Sequence, residues 1–155
     1  MPPAFLPLPA LDPASVKPRI GTSYPAPYAA PCAAREKRAL GDATGLTQFG
    51  VNLVRVPPGV WSSQRHWHAR EDEFVYVVEG ELVLVTEAGE QVLRAGMCAG
   101  FPAGKADGHH LINRTARDAL YLEVGTRMAH DDVDYPDCDM QIRNDRLERK
   151  DGTPY

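Results

Sequence analysis

Two histidines and a glutamate have a spacing that suits a metal site: His66, His68 and Glu73. The histidines are two positions apart in a segment of strand character, so their side chains point to the same face. A carboxylate a few residues later can join them, and imidazole with carboxylate is a ligand set for divalent transition metals. A third histidine downstream, either His109 or His110, can complete the set.

The segments that carry these residues are short β-type runs broken by tight turns, such as Pro57-Pro58-Gly59 and Ala88-Gly89-Glu90. Frequent short strands between turns predict an all-β sandwich or barrel. No long segment has the 3.6-residue period of an amphipathic helix. The predicted strands cover residues 47–56, 61–68, 73–78, 81–86, 91–93, 96–101, 109–113 and 119–124.

Composition divides the chain into three parts. Residues 1–45 are rich in proline, as in Tyr24–Pro31, and predict an extended arm that packs over the domain or over a partner subunit. Residues 46–127 contain the predicted strands. Residues 128–155 form an acidic and polar extension, which lacks the residue order of an EF-hand and is expected to contain a solvated loop. Its tail, residues 144–152, is expected to form a hairpin or a coil.

The overall composition suits one ordinary domain that binds small molecules. The chain has 155 residues, of which 43% are hydrophobic, enough for a substantial core. The net charge of −4 argues against a nucleic-acid binder, which usually carries a basic stripe. An anionic substrate remains possible, because one or two basic residues in a pocket suffice.

The cysteines and the N-terminus predict a cytoplasmic protein. Cys32, Cys98 and Cys138 are far apart and form no CxxC pair, so we interpret them as reduced thiols. Met1–Pro9 is apolar but has no basic residue, and its prolines interrupt any helix, so we predict no signal peptide. No run approaches the ~18 apolar residues of a membrane span.

Two of the predicted strands, Phe74–Val78 and Leu82–Val85, are apolar on both faces. In a half-solvated antiparallel sheet one face should be polar. The outer face is therefore expected to contact the N-terminal arm or a second subunit, and we predict a homodimer.

Two ordered motifs make the chain resemble the cupin superfamily. The first, G-x5-H-x-H-x3,4-E-x6-G, is matched with one extra residue before the first histidine. The second, G-x5-P-x-G-x2-H-x3-N, is matched with two extra residues before its histidine. The resemblance spans residues 47–125. The matching residues are Gly59, His66, His68, Glu73 and Gly80 for the first motif and Gly96, Pro102, Gly104, His109 and Asn113 for the second.

The resemblance implies a cupin-type double-stranded β-helix, a jelly-roll barrel with a metal at its open end. It implies His66, His68, Glu73 and His109 as the ligands of one divalent transition metal: Zn, Fe, Mn or Ni. Counting back from Asn113 favours His109, and side-chain alternation places His110 on the opposite face. His110 remains the alternative third imidazole.

Four further residues are candidates for the pocket. Gln64 shares its predicted strand face with His66, so it is expected to point inward and bind a ligand or orient a histidine. Tyr121 and Glu123 alternate with apolar neighbours, and an inward Glu123 is a candidate general base. Lys105 lies in the enlarged loop before His109, where it can meet a phosphate or carboxylate group. Arg65 and Trp67 are expected to face away from the metal.

Three histidines and one glutamate leave two positions open on an octahedral metal. Such a site can polarise a carbonyl, acidify water or chelate a substrate. The resemblance therefore implies a metal-binding protein acting on a small oxygenated molecule, with sugar-phosphate isomerase as the leading hypothesis. An Fe(II) dioxygenase and a non-catalytic sensor of a small ligand are the alternatives.

Overall fold

The structure, a computed structural model, describes residues 9–155 and is almost entirely β. One short helix, α1 (Leu40–Ala43), and two 3₁₀ turns, Pro13–Ser15 and Ala30–Cys32, interrupt the strands. The predicted all-β class is confirmed. The strands are β1 (Arg19–Ile20), β2 (Glu36–Ala39), β3 (Phe49–Val56), β4 (Trp67–His68), β5 (Glu73–Glu79), β6 (Glu81–Thr86), β7 (Gly89–Arg94), β8 (Cys98–Phe101), β9 (His110–Ile112), β10 (Ala119–Thr126), β11 (Val133–Tyr135), β12 (Met140–Arg143) and β13 (Arg146–Glu148).

The first eight residues of the predicted arm, and with them most of the segment on which the signal-peptide prediction was made, lie outside the described residues. Within the described range, no helix is both long and apolar enough to cross a membrane.

The strands form three antiparallel sheets. The largest has the order β1-β2-β3-β10-β5-β8, the second β13-β12-β11-β4 and the third β7-β6-β9. Side-chain alternation decides which residues enter the main core between the first and third sheets. On β5, Val75 and Val77 are buried, whereas Phe74, Tyr76 and Val78 between and beside them are exposed.

The described part of the N-terminal arm, residues 9–45, packs against its own chain rather than extending away from it. Its last part forms β2, which pairs with β3 and so joins the main sheet. Tyr24 and Tyr28 of the arm pack against buried Tyr135 and Met140 of the C-terminal extension. The arm and the extension thus share a second hydrophobic core.

The expectation of a solvated acidic loop in the C-terminal extension is wrong for its central part. β11 pairs with β4, the strand that carries His68, and Asp131 is buried. Asn144 and Asp145, both with positive φ, make the turn between β12 and β13, consistent with the expected hairpin.

The predicted strand 61–68 is also only partly correct, because its first half is irregular. Trp61 pairs with Ile112 and His66 pairs with His109. Between these two pairings, the segment 61–66 therefore has two more residues than the segment 109–112 opposite it. The surplus bulges the segment, and the Leu111 N–H donates to the Ser62 hydroxyl instead of a carbonyl. β4 begins only at Trp67.

Two motif glycines at turns are expected to differ in their tolerance of alanine. Gly80 and Gly96 both have positive φ, which costs an alanine about 1–2 kcal/mol. A Cβ on Gly80 would also lie 2.9 Å from the Asp118 carbonyl oxygen, whereas one on Gly96 would meet nothing within 4 Å. We therefore expect G80A to lower the free energy of unfolding clearly more than G96A in urea titrations. Equal losses would contradict this steric account.

Candidate metal centre

Four side chains from three strand regions meet at one point, where three imidazoles surround one carboxylate oxygen of Glu73. His68 belongs to β4 and Glu73 begins β5, while His66 precedes β4 and His109 precedes β9. The Oε2 atom of Glu73 lies 3.4 Å from Nε2 of His66, 3.6 Å from Nε2 of His68 and 3.1 Å from Nε2 of His109. The antiparallel pairing of His66 with His109 brings the two motifs together.

Each of the three imidazoles has its other nitrogen beside an oxygen acceptor. Nδ1 lies 2.9 Å from the Gln64 carbonyl oxygen in His66, 2.6 Å from Asp131 Oδ2 in His68 and 3.4 Å from the Asp107 carbonyl oxygen in His109. Each of these oxygens can accept a hydrogen bond from Nδ1, and with the proton on Nδ1 the Nε2 lone pair that faces the centre is free to bind a cation.

The donor set fits a divalent transition metal. With all three imidazoles neutral and protonated on Nδ1, three Nε2 lone pairs would face a buried carboxylate oxygen, and these groups would repel one another unless a positive charge lay between them. The donor atoms of His66, His68 and Glu73 lie within 4.8 Å of one another, and His109 joins them through Glu73. A cation bound by these atoms would remove the repulsion.

The pKa shifts of Glu73 and His66 agree with this need for positive charge at the centre. Burial raises the pKa of Glu73, but hydrogen bonds from His109 and His66 outweigh it and hold that pKa well below its ordinary value. Burial lowers the pKa of His66, but the hydrogen bond and charge of Glu73 outweigh it and raise that pKa above 6.5.

The structure places His109 in the cluster and His110 outside it. His109 is buried and stacks on Phe101, with ring centroids 3.5 Å apart and an interplanar angle of 3°. His110 faces the other way, where its Nδ1 meets the Ser63 carbonyl oxygen and its ring packs edge-on against Trp61. Burial lowers the pKa of His110, which favours its neutral form.

Two cavities open beside the cluster, and His68 lines both of them. The first, of about 310 Å³, is also lined by His109, Phe101, Trp67 and Lys105. Trp67 therefore does not face away from the site as expected.

The second cavity, an open cleft of about 520 Å³, is lined by His68, Glu73, Asn52, Glu123 and Arg127, among others. Glu123 therefore lies on the same side as the cluster. Its carboxylate accepts hydrogen bonds from Lys37 at 2.8 Å, from Asn52 at 3.0 Å and from the Tyr121 hydroxyl at 3.3 Å.

Gln64 and Tyr121 do not line either cavity, contrary to expectation. The Gln64 amide donates to the Tyr28 carbonyl oxygen and accepts from the Cys138 thiol, so it connects the arm to the extension. Tyr121 is 1% exposed and belongs to the main core. Burial raises its pKa well above the ordinary value, which keeps its hydroxyl protonated as a donor to Glu123.

Comparison with known proteins agrees with the fold and the motifs. The cupin domain model matches residues 52–125. The crystal structure of a cupin-superfamily sugar phosphate isomerase from Silicibacter pomeroyi is similar, with 48% identity, a TM-score of 0.90 and coverage of 95% of this chain and 96% of that one. A candidate sugar phosphate isomerase from Acidithiobacillus ferrooxidans is 33% identical, with a TM-score of 0.69 and 75% of each chain covered.

More distant similarity extends to a different chemistry. A polyketide cyclase from Streptomyces resistomycificus is 21% identical, with a TM-score of 0.60 and coverage of 76% of this chain and 78% of that one. At this identity only the fold is shared, and fold alone does not fix function. None of the curated proteins matches the chain.

The pKa shifts predict the pH dependence of stability in chelator-treated protein. The raised pKa of His66 gives a stabilisation that is complete below pH 6.5 and is lost as pH rises through the folded-state pKa. The lowered pKa of Glu73 gives one that is present above pH 4.5 and lost only in stronger acid. Melting temperatures of metal-free protein should therefore fall as pH rises above 6.5.

The E73Q variant tests the cause of this fall. It removes the charge that raises the pKa of His66, so its melting temperature should change less over the same alkaline range. The matched control E90Q neutralises an exposed carboxylate that pairs with Arg114 and should keep the wild-type slope. A wild-type slope in E73Q would contradict the assignment.

Proposed function

The chain belongs to the cupin superfamily, and we propose that it is a metal-dependent isomerase of sugar phosphates. Membership confirms the resemblance of the two motifs and the jelly-roll fold that it implied. The observation that carries the proposal is the convergence of three Nε2 atoms on the Glu73 carboxylate beside two cavities. The 48% identity to a sugar phosphate isomerase supports the substrate class.

The residues that would hold the metal are His66, His68, Glu73 and His109. A bound Zn²⁺, Fe²⁺, Mn²⁺ or Ni²⁺ would supply Lewis acidity toward a substrate carbonyl and the hydroxyl beside it. This donor set does not choose among the four ions, because occupancy depends on geometry and on metal availability.

Glu123 is the proposed general base. An isomerase of this kind moves a proton from the carbon that bears the hydroxyl to the neighbouring carbonyl carbon, while the hydroxyl proton passes to the carbonyl oxygen. Glu123 lines the cleft with His68 and Glu73, so a substrate held there lies within its reach. The hydrogen bonds from Lys37 and Asn52 hold the carboxylate in place. The carboxylate can then accept the proton from one carbon and return it to the other.

Lys105 is the proposed phosphate anchor. Its side chain is exposed at the mouth of the smaller cavity, which also contains His68 and His109. A lysine binds phosphate as a point charge and needs no fixed geometry. Trp67 and Phe101 give the same cavity apolar walls, which suit the carbon skeleton of a sugar. Gln64 and Tyr121 have supporting roles, through the second core and Glu123 respectively.

The direct test is to measure the interconversion of aldose and ketose phosphates by protein loaded with each of the four ions. We expect turnover with at least one ion, and E123Q should lower kcat by about 10²–10⁴-fold, the usual contribution of a general base. E90Q, whose exposed carboxylate pairs with Arg114 and lines neither cavity, is the matched control and should retain activity.

Other outcomes would favour the two alternative functions. Oxygen consumption by the Fe²⁺-loaded protein with a small substrate would favour the dioxygenase. Saturable binding of a sugar phosphate without turnover across the panel would favour the sensor. A wild-type protein that takes up none of the four ions would contradict the metal-dependent proposal as a whole.

We further propose a cytoplasmic homodimer. The three cysteines are free, which suits a reducing compartment. Phe74, Tyr76 and Val78 are 42%, 40% and 44% exposed on one face of β5, and residues 9–155 of the same chain leave them uncovered. Adjacent exposed apolar side chains of this kind mark an interaction surface, and a second copy of the chain is the proposed occupant.

The oligomeric state can be tested by sedimentation velocity at micromolar concentration. We expect wild type to sediment as a dimer and Y76K to shift toward monomer, because burying an unpaired lysine in an apolar interface is costly. M128K, which adds the same charge at an exposed apolar residue outside the sheets, should remain a dimer. A monomeric wild type, or a dimeric Y76K, would contradict this interface.

A further inference from the structure

Asp131 in the C-terminal extension contacts one of the four donors of the candidate metal centre. Its Oδ2 atom lies 2.6 Å from Nδ1 of His68, and the residue is 8% exposed. Asp131 lies outside residues 52–125, the range that the cupin domain model matches. The contact therefore comes from a part of the chain beyond the matched domain.

His68 differs from the other two imidazoles in the acceptor that holds its Nδ1. In His66 and His109 the acceptor is a main-chain carbonyl two residues earlier, belonging to Gln64 and Asp107. In His68 it is a carboxylate, which forms a shorter, charge-assisted hydrogen bond. A carboxylate at this position fixes the ring and increases the basicity of Nε2 toward a cation.

The Asp131 carboxylate and the backbone that follows it are both held in place. Its Oδ1 accepts from the Arg70 N–H at 2.7 Å. The next residues are anchored beside it, because Ala69 N–H donates to the Asp132 carbonyl oxygen and Val133 pairs with His68 across β11 and β4.

A second carboxylate near this ring has a different role. Glu71 Oε2 is 3.8 Å from Nδ1 of His68, beyond hydrogen-bond distance. The other oxygen of Glu71 accepts from the Met128 N–H at 2.7 Å, at the start of the extension. Glu71 thus anchors the extension, and Asp131 makes the contact with the histidine.

We propose that Asp131 is a positioning residue that holds His68 with Nε2 directed at the bound cation, so that the C-terminal extension completes the metal centre. The inference rests on the metal site proposed above, but not on the isomerase activity. Its consequence is that metal affinity depends on a residue that does not touch the metal.

The test is a titration with Co²⁺ alone, followed through its visible absorption, with affinity set by competition against a chelator. D131N keeps the size of the side chain and removes its charge. We expect it to bind Co²⁺ about 10–100-fold more weakly than wild type and to show an altered spectrum, as when other such supporting partners of metal ligands are removed. D132N removes the same charge one residue later. It should bind Co²⁺ within about twofold of wild type, because affinity is expected to fall only when the partner of a metal ligand is changed.

Three results separate this inference from the proposed function. Wild-type protein that does not bind Co²⁺ would overturn both. Wild-type affinity and spectrum in D131N would overturn only the role of Asp131. Weaker binding in D131N but not in D132N, with similar melting temperatures of the metal-free proteins, would support it.

A measurement on wild type covers the case in which D131N does not fold. In the Zn²⁺-loaded protein, long-range ¹H–¹⁵N NMR of the imidazoles reports which ring nitrogen carries the proton. We expect the proton of His68 on Nδ1, at a strongly downfield shift caused by the carboxylate. A proton on Nε2, or zinc bound through Nδ1, would overturn the proposal.

Discussion

The arrangement of the site depends on one electrostatic constraint, the meeting of three imidazoles with the Glu73 carboxylate in a largely buried place. Separately, each group would prefer water, and together they need a positive charge among them. The rest of the fold offsets that cost, because the main core holds β5 and β9 in place and the extension holds β4. The stability of the barrel therefore maintains a cluster that is unfavourable by itself.

β10 contributes to both the core and the cleft, through two residues on the same face. Tyr121 is buried among apolar side chains, yet its hydroxyl reaches Glu123 at the edge of the cleft. Lys37, from a strand that the arm contributes, completes the environment of this carboxylate. Although the arm, barrel and extension differ in composition, each therefore supplies contacts around the candidate centre, and Glu123 is held by two of these segments at once.

Local patterns predicted the fold class and the histidine–glutamate cluster, since alternation and motif spacing act over a few residues. Gln64 was expected in the pocket. Two surplus residues form a bulge before His66, and side-chain alternation read from the sequence does not reveal a bulge. Asp131 was missed for another reason. Its neighbours pair with β4 across more than sixty positions, and an aspartate within an acidic stretch carries no mark of such distant pairing. Tyr121 was assigned to the pocket because alternation predicts the face of the strand on which a side chain lies, but not how deeply that side chain is buried.

The pairing of β11 with β4 also has a consequence for biosynthesis. During translation, β4 leaves the ribosome long before residues 133–135 are made, so for that interval the edge of β4 that later pairs with β11 lacks this partner. Unpaired edges invite association with other chains. Two residues make this edge a short one, and short edges are poor templates for aggregation. The brevity of β4 thus protects the nascent chain until its own later strand arrives.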